Sequence, residues 1–140
     1  MNSNNKLDIG YIAGLFDANG SATYKKYPRK RKDSKKAYMP WNIRLEISMT
    51  DKDVIELVHE TLMVGTVHER PPGKGQLGKK MQYRWRCGYR DALYVCKLLW
   101  PYAVVKLHKI EQIIDHYEPD IQELGDNVGE LALERENRQP

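Results

Sequence analysis

Residues 10–22 of this 140-residue chain read "GYIAGLFDANGSA". Small residues recur at Gly10, Gly14 and Ala18, four apart, and the segment closes on Asp17, Ala18, Asn19 and Gly20. A Gly inside a helix costs about 1 kcal/mol relative to Ala, so a stripe of small residues serves something pressed against it. Asp17 falls at a helix C-terminus, where the macrodipole is already negative. Two unfavourable choices side by side mark a functional site. A second set of residues has a different chemistry. Lys25, Arg29, Asn42, Arg44, Glu46, Ser48, His68, Arg70, Gln82, Arg84 and Arg86 are rich in Arg, Asn and Gln. These side chains match the base edges and phosphates of a major groove. An ordinary solvated face mixes signs and favours Lys and Glu. Tyr27 lies in the same region and is expected to reach the same partner.

The charge distribution points the same way. Residues 1–117 hold 21 Lys and Arg against 12 acids, and residues 118–140 hold 2 against 7. A basic body with an acidic tail fits a polyanionic partner, above all nucleic acid. "KKYPRKRKDSKK" (25–36) places eight basic residues in twelve, suited to following a phosphate backbone. The two cysteines, Cys87 and Cys96, make neither a disulfide framework nor a paired-Cys zinc site, which fits a reducing intracellular setting. The N-terminus lacks an apolar signal core, and no apolar run is long enough to span a bilayer. The chain is expected not to be secreted and to have no membrane partner.

These residues need elements to hold them. Residues 7–18 predict a helix with Leu7, Ile12, Leu15 and Phe16 on its apolar side. Residues 21–29 predict an extended segment, and 30–40 a basic hairpin tip. "WNIRLEISM" (41–49) alternates strictly, with Trp41, Ile43, Leu45, Ile47 and Met49 on one face, as a half-buried strand does. A helix follows over about 51–62, with Thr50 as its N-cap. Residues 65–70 predict a strand, 71–80 a Gly/Pro-rich loop, and 81–87 another alternating strand. A helix over about 90–100 is stopped by Pro101, and 107–117 form a last amphipathic helix. The order α-β-β-α-β-β-α-α makes one α+β domain over 1–118, with an acidic tail over 119–140. The strands should form one antiparallel sheet, helices on its apolar face and the polar set on the other.

"IAGLFDANG" (12–20) resembles the LAGLIDADG motif at six of nine positions. The element order over about 7–117 is also similar to that of the LAGLIDADG homing endonucleases, and "LWPYAVVK" (99–106) resembles the family segment that delivers an active-site lysine. The resemblance implies that two motif helices pack together through Gly10, Gly14 and Ala18, with their C-termini meeting under a saddle that sits on double-stranded DNA. A single motif implies a homodimer on a pseudo-palindromic target. It also implies a divalent cation, Mg²⁺ (with Mn²⁺ or Ca²⁺ able to take its place), at the motif's eighth position beside the Ala18 carbonyl, for phosphodiester hydrolysis. Carried over, the metal position is Asn19, Lys106 is the active-site lysine, and Asp51 matches a polar position of the solvent-filled pocket. The implied setting is a prokaryote, a phage-infected cell or an organelle.

Asn19 departs from the motif. An amide gives a metal one neutral oxygen and no charge, so the expectation is a DNA-binding dimer that cuts poorly or not at all. The rival reading is a non-cleaving protein on the same fold, a repressor or an RNA maturase.

Overall fold

In the computed structural model, the residues described are 7–26, 29–30, 37–38, 40–73, 75 and 80–119. Helix α1 spans Ile9–Asn19 and begins where Asp8 caps it: Gly10 N–H donates to Asp8 Oδ1 at 2.7 Å. The chain passes directly from α1 into strand β1, Gly20–Lys26. Gly20 is needed at that junction. A Cβ there would lie 2.5 Å from the Phe16 carbonyl oxygen and would also meet the Phe16 ring. Two short strands, β2 (Arg29–Lys30) and β3 (Ala37–Tyr38), pair as a separate ribbon. Strand β4, Trp41–Met49, and helix α2, Lys52–Leu62, follow. Then come β5 (Thr66–Arg70), β6 (Gln82–Gly88), α3 (Arg90–Leu99) and α4 (Leu107–Tyr117).

The main sheet is antiparallel with strand order β1-β4-β6-β5. Its period-two pattern sends Ile43, Leu45 and Ile47 of β4 and Trp85 and Cys87 of β6 into the core. The helices cover that face. Ile12, Ala13 and Phe16 come from α1, Ile55, Val58 and Leu62 from α2, and Ala92, Val95, Cys96 and Leu99 from α3. Ile110 and Ile113 of α4 complete it. Gly65 (φ +90°) lets the chain enter β5 against the β6 backbone, where a Cβ would sit 2.5 Å from Arg86 O. Trp85 Nε1 donates to Val64 O at 2.9 Å just before it. Burial pushes the Cys87 thiol up to about 12 and raises that of Cys96 as well, so both are unreactive core residues.

Two expectations are corrected. The N-cap of α2 is Asp51, not Thr50: Asp51 Oδ1 accepts from Val54 N at 3.2 Å, and the helix starts one residue later. The extended segment expected over 21–29 ends at Lys26, and Arg29 pairs with Tyr38 in the ribbon rather than joining the main sheet. Tyr27, most of the basic tip at 31–36 and the acidic segment 120–140 lie outside the described residues. Among the described residues no helix is long and apolar enough to cross a membrane.

Candidate nucleic-acid interface and helix-end site

The strand register places the polar side chains on the face opposite the helices. Lys25 stands beside Asn42 and Thr23 beside Arg44. Ser21, Glu46, Arg86 and Thr66 make one row across all four strands. Ser48, Arg84 and His68 make the next, and Arg70 faces Gln82 beyond it. Every member of the expected face except Arg29 is thus a member of one surface, and Ser21, Thr23 and Thr66 join it.

Glu46 is the centre of this surface. Its Oε1 lies 3.1 Å from Arg44 Nε, 3.0 Å from Arg86 Nε and 3.9 Å from Arg84 Nη1. These contacts are ionic and not aligned hydrogen bonds, because the Nε atoms of Arg44, Arg84 and Arg86 are buried without a hydrogen-bond partner. On β5, His68 Nε2 and Thr66 Oγ1 are 2.8 Å apart.

The second site is the end of α1. Ala18 and Asn19 are exposed there. Asp17 is committed to the loop before α4. Val104 N donates to its Oδ2 and Lys106 N to its Oδ1, each at 2.9 Å, while Lys106 Nζ donates to the Asp17 carbonyl at 3.2 Å. This brings Lys106 to the end of α1. It also explains the acid at the negative pole: two backbone N–H groups and an ammonium offset the dipole. What the sequence did not give was Asp17's partners. The signal was its unfavourable position, but its partners lie 87 and 89 residues away. Asp51 has a structural role as the cap of α2.

One consequence is measurable. Asn at position 17 keeps one acceptor but presents an NH₂ to the other N–H. Asp17→Asn is expected to cost about 1–3 kcal/mol and to speed hydrogen exchange at the Val104 and Lys106 amides. Unchanged exchange at both would show that the loop is held by something else.

The helix end as given does not suit a divalent cation. Both Asp17 oxygens are engaged, Asn19 is neutral, and Lys106 Nζ sits beside the nearest carbonyl. Among the described residues no three His, Cys, Asp or Glu converge as a metal-binding set. Mg²⁺ sites are built on carboxylates, and none is free at this point.

Along the outer side of α1, Tyr11, Gly14 and Ala18 are exposed, and Val104 and Val105, in the loop held by Asp17, are 66% and 70% exposed. A Cβ at Gly14 would meet none of the described residues within 4 Å beyond its own helix backbone. Gly10 differs from the other two small residues, since Tyr102 of the same chain lies 3.4 Å from its Cβ position.

No family model matches the chain, and no curated protein sequence matches it. Solved structures do. The homing endonuclease I-CvuI, crystallised with the I-CreI target in the presence of Mg with the DNA not cleaved, is 18% identical with a TM-score of 0.63, over 97% of this chain and 82% of that one. The archaeal intron-encoded homing endonuclease I-Vdi141I, complexed with DNA, is 17% identical with a TM-score of 0.55, over 94% and 84%. The meganuclease I-SmaMI, bound to uncleaveable DNA, is 17% identical with a TM-score of 0.57, and there 93% of this chain covers only 41% of the other. The fold is that of the LAGLIDADG homing endonucleases.

Proposed function

We propose that this chain binds double-stranded DNA as a homodimer on a pseudo-palindromic site, using a homing-endonuclease scaffold. In the form given, it holds the duplex without cutting it efficiently. The observation that carries the binding half is the register-aligned surface of Arg44, Arg84, Arg86, Asn42, Gln82 and His68 opposite the helices. Such a face offers base-edge donors across a width of four strands. The exposed stripe at Tyr11, Gly14 and Ala18 supports a second copy as partner. Asn19 supports the loss of cutting, since an amide supplies no charge to hold Mg²⁺ or Mn²⁺. The nuclease ancestry of the site rests on Lys106, held at the helix end.

The test is a binding titration on a duplex selected from a randomised pool. Arg84→Ala is expected to weaken binding to that duplex by about 1–3 kcal/mol and to do so less on a scrambled one. Affinity untouched on both would make this the wrong surface.

A further inference from the structure

The reading of the sheet face as a DNA surface leaves one residue unexplained. A carboxylate stands in the middle of a surface meant for a polyanion. Glu46 repels phosphate, so its presence needs a reason. A Glu that read cytosine directly would stand free to accept from the base. Glu46 is not free. It is the deepest of the four charged residues, its side chain 17% exposed against 35% for Arg44, 22% for Arg84 and 33% for Arg86. The register makes Arg86 its cross-strand neighbour, Arg44 its same-face neighbour two residues back, and Arg84 its diagonal neighbour. Three like charges packed this closely would otherwise push apart. An Arg free to move finds phosphate anywhere on a duplex and carries no sequence information.

We propose that Glu46 is a positioning residue for sequence choice: it gathers Arg44, Arg84 and Arg86 around one carboxylate. The cluster then reads guanine edges by fixed geometry instead of gripping any duplex by charge. The inference rests on the DNA-binding reading above. It costs the surface one unit of positive charge and holds the guanidiniums on the β4–β6 seam. Specificity comes from that restraint, since a wrong site gains less from arginines that cannot swing to its phosphates.

The experiment uses the full chain, a duplex it selects from a randomised pool, and a scrambled duplex of the same length, each titrated across a range of salt. Glu46→Gln is expected to bind the scrambled duplex more tightly at low salt and to steepen the salt slope by about one unit. Its selected-to-scrambled ratio should fall about tenfold. Glu46→Asp, which keeps the charge, should retain most of the ratio. A purely structural role would lower the melting temperature and leave the salt slope alone, and that outcome overturns the inference. So does a Glu46→Gln ratio equal to the unaltered chain's. Arg86→Gln serves if Glu46→Gln fails to fold: it should lose more affinity for the selected duplex than for the scrambled one, and equal losses overturn the inference. If the unaltered chain binds duplex but selects no sequence, the inference fails alone. If it binds no duplex, the DNA reading fails with it.

Discussion

Asn19→Asp should turn a protein that holds its target into one that cuts it. The substitution restores the acid of the motif at an exposed helix end where, among the described residues, no other carboxylate is free, Asp17 being tied to Val104 and Lys106. Without metal, the new charge joins the negative pole of α1 and should lower stability by about 0.3–1 kcal/mol. With Mg²⁺ or Mn²⁺ that loss should reverse, because a cation that binds the folded state stabilises it. Melting curves with metal and with EDTA read this without any assay of activity. On a selected target, strand scission should rise by several orders of magnitude, since metal assistance supplies several kcal/mol to phosphodiester hydrolysis. Lys106 stands at the same helix end, its Nζ donating to the Asp17 carbonyl. If Asn19→Asp binds its target and never cuts it with any divalent metal, the endonuclease ancestry of this site is wrong and a binding protein remains.

Gly14→Leu should separate the two copies while leaving each one folded. Apart from its own helix backbone, none of the described residues lies within 4 Å of the added Cβ, so the protomer has room for the side chain. Leu is also the better helix former by about 0.8 kcal/mol, which should stabilise the isolated protomer. Across a helix-to-helix contact, the same side chain holds the backbones apart. Sedimentation should show a monomer with an intact melting transition. DNA affinity should fall about a hundredfold or more, since each half-site then binds alone. A dimer of unchanged sedimentation would mean that the copies, if they associate, do so through another surface.

Elements written into local pattern were legible in the sequence. The strict alternation of 41–49 gives β4 its observed bounds, and the apolar spacing of 107–117 gives α4 its own. Caps were harder, because neighbouring residues compete. Thr50 and Asp51 can both cap α2, and the choice falls to Asp51, whose carboxylate reaches Val54 N. Asp8 capped α1 where the apolar pattern alone suggested a start at residue 7. The polar face was legible as a list of residues, since alternation names which side chains share a face within a strand. Its organisation around Glu46 was not. That depends on Glu46 meeting Arg86, 40 positions away, through the β4–β6 register. Asp17 stood out by its place at the helix end, but its partners did not, being backbone N–H groups of a distant loop, whose identity no side-chain pattern records.

The junction of α1 and β1 also governs how the protein ages. Asn followed by Gly is prone to deamidation: the glycine nitrogen attacks the side-chain amide carbon, ammonia leaves, and water opens the ring to aspartate or isoaspartate. In this fold the Gly20 nitrogen is occupied, its N–H donated to Phe16 O, and Gly20 is drawn out into extended backbone (φ −97°, ψ 166°). The attacking atom is held in the helix end instead of being free to close the ring. The folded state therefore guards the identity of residue 19, and the unfolded chain does not. Each excursion out of the fold exposes the one position where loss of ammonia can write the motif's missing acid back into the protein.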